Sequence, residues 1–373
     1  MSRSPVLTSR SRRLGFGMLL LGSLLLTAPV AAQTAPAARD GWPTDGWRTA
    51  APERHGVDPA ALAAVDARVP EETPDLSELL VVRDGVVDFE RSYGGHNAAE
   101  PVDVRSVTKS VIGALIGIAF DEGALTSLDQ TVGDLIPDRI PPGADPLVAN
   151  ITIRQLLTMT SGLAWDNHTD YQTLIASDDW VALTLGLPVV GVPGETYVYN
   201  SGGSHLLGVM AAAATGEDPA DYAAAKFFDP LGIKPGGWAR SSLGETIGGF
   251  GLKLTARDMA KIGFLFLNGG RWDGQQIVPE EYVLASTTWQ SAGDSTGGYA
   301  AYGYQWWVTA TDAGYPAYFA LGYGGQHIYV VPDLDLVVIA AIERRVAPEE
   351  LRTPRYLIES IAAGITPGAP AGG

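Results

Sequence analysis

Ser106 and Lys109 form a Ser-x-x-Lys pair at the start of the apolar stretch "VRSVTKSVIGALIGIAF", residues 104–120. Residues three apart on a helix share a face, so the hydroxyl and the amine can meet. A serine needs a nearby base to act as a nucleophile, and lysine serves only when neutral. The apolar run would desolvate the amine and lower its pKa. The pattern predicts either a nucleophile with its base, or a serine helix cap followed by a solvated lysine.

Tyr199 is a second candidate, in the stretch "YVYNSGGSHLLG" (residues 197–208). A tyrosine held near a Ser–Lys pair can relay a proton, and the neighbouring Asn200 and Ser201 side chains can hold the lysine. Tyr197 competes for the same role. The alternative is an ordinary helix start in which a serine of this stretch is the cap.

The third candidate is the glycine-rich stretch "LGYGGQHIYVV", residues 321–331. Consecutive glycines at the head of a strand allow a ligand or another backbone to approach closely. A strand-edge N–H there can complete an oxyanion hole, together with the N–H of Ser106 at the positive end of its helix. A plain glycine-rich turn is the alternative.

The elements that must position these residues follow from hydrophobic periodicity and from cap and turn residues. They are a helix over 58–69, a hairpin over 77–95 that turns at Asp84-Gly85, helices over 106–122, 151–163 and 254–270, a strand over 301–309, a hairpin over 326–342 and a helix over 354–365. This order predicts an α/β (α+β) fold. An antiparallel sheet assembled from both ends of the chain is flanked by helices and carries an inserted all-helical lobe over about 124–245.

The N-terminus predicts export. Four arginines precede an apolar run at 14–30, and Val30-Ala31-Ala32 supplies a cleavage site, which is typical of a signal peptide over 1–32. Residues 33–50 are predicted to be a linker, and residues 51–370 a single hydrolase domain. The mature protein is expected in the periplasm or secreted, without a stable membrane anchor. The oligomeric state is not predicted.

Composition excludes several classes of function. The 373-residue chain has a net charge of −17 and no basic footprint, so we expect no nucleic-acid partner. It contains no cysteine, which excludes thiol nucleophiles, disulfides and Cys-based metal sites. The five histidines lack metal-ligand spacing and no Gly-x-Ser-x-Gly elbow is present, so we expect no metal, no cofactor and no Ser-His-Asp triad.

The three candidate stretches, in this order along roughly residues 75–365, resemble the penicillin-recognising serine hydrolases. They are most similar to the branch of class C β-lactamases, D-alanyl-D-alanine peptidases, carboxylesterases and 6-aminohexanoate-dimer hydrolases. The resemblance implies a β-lactamase/transpeptidase-like fold. It implies that Ser106 is the nucleophile that forms an acyl-enzyme, Lys109 the general base, and Tyr199 the residue that assists activation and protonates the leaving group.

The resemblance also implies an oxyanion hole made by the backbone N–H groups of Ser106 and Gln326. Ser201 stands where the family often has Asn. The implied substrate contacts are Ser201, Trp165, Tyr323, Gly324 and Gly325. The last three replace the Lys-Thr-Gly of β-lactamases and supply no cation, so a substrate carboxylate loses a contact worth about 1.5–3 kcal/mol. We therefore expect an esterase or amidase acting on a small molecule. The alternatives are a β-lactamase or D-Ala-D-Ala peptidase, and a non-catalytic secreted binding protein.

Overall fold

Two segments that lie far apart in the chain build one antiparallel sheet. The computed structural model describes residue 39 and residues 41–166, 169–293, 301–343 and 354–366. The strands in these ranges are β1 (Leu76–Arg83), β2 (Val86–Ser92), β3 (Val102–Asp103), β4 (Gly237–Trp238), β5 (Leu252–Leu254), β6 (Arg271–Trp272), β7 (Gln275–Gln276), β8 (Ser291–Ala292), β9 (Ala301–Tyr302), β10 (Trp307–Ala310), β11 (Pro316–Gly322), β12 (Gln326–Val331) and β13 (Leu336–Ile342). Eight of these described strands form the main sheet, in the order β2-β1-β13-β12-β11-β10-β9-β8.

Helices cover both faces of this sheet and fill the middle of the chain. The α-helices in the described ranges are α1 (Pro59–Glu72), α2 (Val107–Asp121), α3 (Val132–Leu135), α4 (Ile153–Leu157), α5 (Thr169–Ala176), α6 (Trp180–Leu185), α7 (Ser201–Thr215), α8 (Pro219–Ala223), α9 (Asp229–Leu231), α10 (Ala256–Leu267), α11 (Glu280–Ser286) and α12 (Arg355–Ala363). Within these ranges, no helix combines the length and the apolar character needed to cross a membrane.

The sheet is buried on both faces. Leu80 and Val82 of β1 belong to the core that contains α2 and α10. Their neighbours Leu79 and Val81 point the other way, into the core that contains α1 and α12. This alternation is what a strand imposes on successive side chains. It explains why β1 is buried along its whole length and carries four consecutive apolar residues, Leu79 to Val82.

The structure agrees with most of the predicted elements. The β1–β2 hairpin turns at Asp84 and Gly85, whose φ angles are +51° and +76°, as a tight hairpin turn requires. The Thr255–Asp258 capping box that predicts the start of α10 is present. Helices α3 to α9 lie between β3 and β4 in the chain, where the helical lobe is predicted.

The linker prediction for 33–50 needs correction over residues 41–50. Trp47 is buried and donates its indole N–H to the Arg257 carbonyl at 3.1 Å. The Trp272 indole donates to the Thr44 hydroxyl at 2.8 Å. Thr49 forms a parallel β-bridge with Val87 of β2. These contacts make residues 41–50 part of the packed domain.

The predicted helix over 151–163 and the predicted strand over 301–309 are both interrupted. Helix α4 ends at Leu157, because Met159 adopts a φ of +58°, which no α-helix contains. The strand is split into β9 and β10 by a bend at Gln305, whose φ is +62°. The Gln305 side chain turns inward and donates to the carbonyls of Leu156 and Leu157 at 3.1 and 2.9 Å. Aromatic composition alone does not reveal such a bend.

Candidate active site

Ser106 lies at the N-terminal end of α2, immediately after a sharp turn. Arg105 has a φ of +52°, an uncommon angle for a residue with a side chain. Two hydrogen bonds hold it there: its N–H donates to Asp103 Oδ1 at 2.8 Å, and its carbonyl accepts from the Thr108 hydroxyl at 2.6 Å. Although Ser106 occupies the cap position, its side chain makes no cap hydrogen bond. The structure therefore disfavours a plain serine cap.

Lys109 reaches Ser106 from within the core. Its Nζ lies 3.0 Å from Ser106 Oγ, 3.2 Å from Ser201 Oγ and 2.6 Å from the carbonyl oxygen of Gly249. The residue is only 1% exposed, and this burial lowers the pKa of its amine to about 7. An amine with that pKa is substantially neutral near pH 7, whereas a solvated surface lysine would be almost fully charged.

Tyr199 completes the group around Ser106. Burial raises the pKa of its phenol above the ordinary value of 10, and an interaction with the Ser106 side chain opposes this rise. The Tyr199 ring lies 5.0 Å from Lys109 Nζ and stacks on Trp307 at 5.7 Å. Tyr197 packs against Tyr302 and Trp307. The place of the Tyr199 ring beside Lys109 and the interaction of its phenol with Ser106 favour Tyr199 over Tyr197 as the site tyrosine.

The start of α7 holds both Tyr199 and Ser201 in place. Asn200 caps this helix by accepting from the Gly203 N–H at 2.8 Å. The segment before the cap is pinned to Met159, whose carbonyl accepts from Val198 at 2.8 Å. Ser201 opens the helix and turns its hydroxyl to Lys109. Ser201 thus occupies the place where the resemblance implies an Asn.

Gly249 is a site residue that the sequence analysis missed. Its carbonyl makes the shortest hydrogen bond to Lys109. A Cβ at Gly249 would stand 2.8 Å from the Ser201 carbonyl, and a Cβ at Gly248 would stand 2.3 Å from the Ser204 carbonyl. Only glycines allow this loop to lie so close to α7. The pair of glycines in "IGGFG" was the available signal, but a backbone carbonyl carries no side-chain signature.

Gln326, at the start of β12, lies close to the segment that precedes Ser106. Its side-chain amide donates to the Asp103 carbonyl at 3.2 Å and to the Ile342 carbonyl at 2.5 Å. A Cβ at Gly322 would stand only 2.3 Å from the Val104 carbonyl, so β11 and this segment are in direct contact. These contacts bring the two halves of the predicted oxyanion hole to one region. The hole itself stays a prediction.

Tyr323, Gly324 and Gly325 form the turn between β11 and β12. Gly324 and Gly325 have φ angles of +91° and +108°, which explains the glycines. Tyr323 is 53% exposed. Trp165, in contrast, is buried in a cluster with Trp180 and Ile247, against which Phe250 packs beside Gly249. Trp165 therefore packs in the cluster that contacts Phe250, the residue after Gly249. Its contact with substrate stays a prediction.

A cavity of about 310 Å³ is lined by the segment that precedes Ser106 and by the start of β12, but not by Ser106 or Lys109 themselves. Its lining includes Arg105, Gln326 and Tyr323, together with His96 and Lys253. A larger cavity of about 450 Å³ lies in the helical lobe and is lined by none of the predicted site residues. Among the described residues, no group of three or more His, Asp or Glu side chains is placed to hold a metal ion.

The comparisons with known proteins identify the family. The sequence model of the Beta-lactamase family matches residues 76–363. The chain belongs to the beta-lactamase family. A relative, the 6-aminohexanoate-dimer hydrolase of Paenarthrobacter ureafaciens, is 25% identical over 309 residues, which cover 74% of this chain and 76% of the relative.

Solved structures confirm the fold expected from the resemblance. The octameric penicillin-binding protein homologue from Pyrococcus abyssi superimposes with a TM-score of 0.66 at 19% identity, over 81% of this chain and 76% of that one. EstCE1, a hydrolase with promiscuous acyltransferase activity, gives a TM-score of 0.66 at 16% identity, over 84% and 98%. At these identities the likeness shows the fold alone. With the family match, this beta-lactamase-family chain is a hydrolase-family protein with the predicted β-lactamase/transpeptidase-like fold.

Proposed function

We propose that this protein is a serine hydrolase that cleaves an ester or an amide through an acyl-Ser106 intermediate. One observation carries the proposal: the Ser106 hydroxyl lies 3.0 Å from a buried lysine whose pKa is lowered to about 7. This is the combination that a serine nucleophile requires, a base within hydrogen-bond reach and in its neutral form. The contacts of Lys109 with Ser201 and Gly249 support it, because they hold the amine at that position.

The proposed reaction has two halves. Lys109 removes the Ser106 proton as Oγ attacks the carbonyl carbon, and the N–H groups of Ser106 and Gln326 stabilise the developing oxyanion. Tyr199, which stays protonated because burial raises its pKa, donates its proton to the leaving group and is reprotonated through Lys109. Water then attacks the acyl-Ser106 ester, with the same residues exchanging the proton, and releases the acid.

Substrates without a carboxylate are the proposed preference. The Tyr323-Gly324-Gly325 turn carries no cation. Two cations, Arg105 and Lys253, line the cavity described above, but the same lining holds the three acidic residues Glu100, Asp103 and Glu343. Arg105 also forms an ion pair with Asp103 at 3.2 Å, so the cavity carries no net positive charge. A carboxylate that loses a charge-assisted contact binds roughly 10- to 150-fold more weakly. This favours esterase or amidase activity over β-lactamase or D-Ala-D-Ala peptidase activity.

Export is part of the proposal. The signal-peptide pattern falls on residues 1–32, which lie outside the described residues, so its support comes from the sequence pattern. Expression of the full chain in a bacterial host, followed by fractionation and N-terminal sequencing, tests it. We expect a mature N-terminus at about residue 33 outside the cytoplasm. An uncleaved chain in the cytoplasm would contradict export.

A substrate panel tests the activity. The purified protein and its Ser106→Ala variant are assayed side by side with p-nitrophenyl butyrate, nitrocefin and the 6-aminohexanoate dimer. We expect turnover of the ester or the amide, little hydrolysis of nitrocefin, and no turnover by Ser106→Ala. Nitrocefin as the preferred substrate would favour the β-lactamase alternative. Activity that survives in Ser106→Ala would exclude Ser106 as the nucleophile.

A further inference from the structure

His205 is a fully buried histidine that the proposed mechanism does not use. It lies on α7, one helical turn beyond Ser201, and so on the same face of that helix. Its Nδ1 accepts a hydrogen bond from the Gly248 N–H at 3.4 Å. Its Nε2 lies 3.3 Å from Glu245 Oε2. The ring therefore connects two points of the loop that leads to Gly249.

These two contacts assign the proton on the ring. An Nδ1 that accepts from a backbone N–H carries no proton, so the ring proton lies on Nε2 and is donated to the Glu245 carboxylate. Glu245 is suited to receive it: the hydrogen bond from His205, followed by that from Arg139, lowers the pKa of this carboxyl to about 2. Arg139 Nη1 lies 2.6 Å from Glu245 Oε1. The Nε2 side of the His205 ring is thus held by the ion pair between Arg139 and Glu245.

The Nδ1 side of the His205 ring is connected to Lys109 through the peptide unit that joins Gly248 and Gly249. Gly248 donates to His205, and the next residue, Gly249, supplies the carbonyl that Lys109 contacts at 2.6 Å. A neutral amine has two N–H donors and one lone pair. Because a carbonyl can only accept, one N–H must point to Gly249. If Ser201 accepts the second N–H, the lone pair is left facing Ser106.

We propose that His205 is a positioning residue for the reaction: through the Gly248 N–H it fixes the Gly249 carbonyl, and thereby aims the Lys109 lone pair at the Ser106 hydroxyl. This inference rests on the proposed function. His205 touches neither Ser106 nor substrate in the proposed reaction. His205 affects the orientation of the base. Its replacement should therefore slow the acylation step without weakening substrate binding.

Two polar variants separate the two contacts. In His205→Asn, the side-chain oxygen reaches the position of Nδ1 and can accept from Gly248, while the contact with Glu245 is lost. In His205→Gln, the side-chain nitrogen reaches the position of Nε2 and can donate to Glu245, while the acceptor for Gly248 is lost. Both remove the imidazole and both cost stability, so a merely structural role predicts similar kinetics.

The readouts are kcat and KM for p-nitrophenyl butyrate, and the rate at which a fluorophosphonate probe labels Ser106. We expect His205→Gln to lose about 10- to 100-fold in kcat/KM, which reports acylation whichever step limits kcat, and to lose as much in labelling rate. We expect His205→Asn to stay within about threefold of the wild type. Equal kcat/KM values and equal labelling rates for the two folded variants would overturn the inference.

The design separates this inference from the proposed function. A wild-type protein that neither hydrolyses esters nor reacts with the probe would overturn both. An active wild type with an equally active His205→Gln variant would overturn the positioning role alone. Should a His205 variant be unfolded at 25 °C, Glu245→Leu tests the same chain of contacts from its outer end. We expect it to lower kcat/KM and the labelling rate about 3- to 10-fold, and unchanged values of both would contradict the inference.

Discussion

Replacing Lys109 with Met is expected to stabilise the protein at neutral pH, although it removes the proposed base. The amine is 1% exposed and its pKa falls from 10.5 to about 7 on folding, because burial disfavours the charged form. At pH 7 this lowering of the pKa reduces the free energy of unfolding by about 4 kcal/mol. A methionine of similar length avoids that cost. It leaves the Gly249 carbonyl without its donor, which costs about 1–3 kcal/mol. The net gain expected at pH 7 is about 1–3 kcal/mol.

The pH dependence of this gain is its most specific feature. The folded-state pKa of Lys109 lies below the unfolded-state value, so the unfolded chain binds more protons between about pH 7 and pH 10.5. Wild-type stability therefore rises with pH in that window, relative to Lys109→Met, which lacks the group. The advantage of the variant is largest at and below pH 7. It should shrink by about 2 kcal/mol between pH 7 and pH 9.

Urea unfolding followed by tryptophan fluorescence measures the effect. The free energy of unfolding is determined at pH 7 and pH 9 for the wild type, for Lys109→Met and for the control Lys234→Met, whose lysine is exposed. We expect the control to follow the wild type at both values. A difference between wild type and Lys109→Met that is the same at pH 7 and pH 9 would refute the lowered pKa, whatever its size.

Three further predictions follow from the same geometry. The kcat/KM for a neutral ester should rise about tenfold between pH 6 and pH 8 and then level off, because it follows the neutral fraction of Lys109, whose pKa is about 7; a flat profile would contradict this. Tyr199→Phe keeps the stack on Trp307 and should lower kcat by about 10²- to 10⁴-fold with an unchanged melting temperature; equal activity would remove Tyr199 from the proton path. Gly322→Ala places a Cβ 2.3 Å from the Val104 carbonyl and should reduce both stability and kcat, whereas Gly41→Ala, with its nearest atom at 3.9 Å, should change neither; indifference of Gly322→Ala would contradict the tight contact ahead of Ser106.

Local patterns were sufficient for the parts of the site that one helix supplies. Ser106 and Lys109 are three residues apart on α2, and the apolar run behind them predicts the burial that lowers the lysine pKa. Tyr199 and Gln326 are brought to this helix by long-range packing, which no local pattern encodes. They entered the prediction through the order of three motifs along the chain. Gly249 was missed because it contacts Lys109 through its backbone carbonyl, a group that every residue has.

The fold shows the same division between local and long-range effects. Elements with strong caps or turn residues, such as α10 and the Asp84-Gly85 hairpin, follow the prediction. The predicted 301–309 strand breaks because Gln305 is drawn into the core, where its Oε1 accepts from the Ser204 hydroxyl at 2.9 Å. That bond depends on a residue about a hundred positions away. Composition predicts the aromatic strand, but only the assembled core explains its bend.

The proposed acyl-Ser106 mechanism is tested most directly by looking for the acyl group on Ser106. The protein is mixed with excess p-nitrophenyl butyrate, quenched in acid within the first turnovers and analysed by intact mass and peptide mapping. We expect a butyryl adduct on the peptide that carries Ser106, which disappears as substrate is exhausted and never forms in Ser106→Ala. Hydrolysis that proceeds with no adduct in the wild type, or with an adduct on another residue, would contradict it.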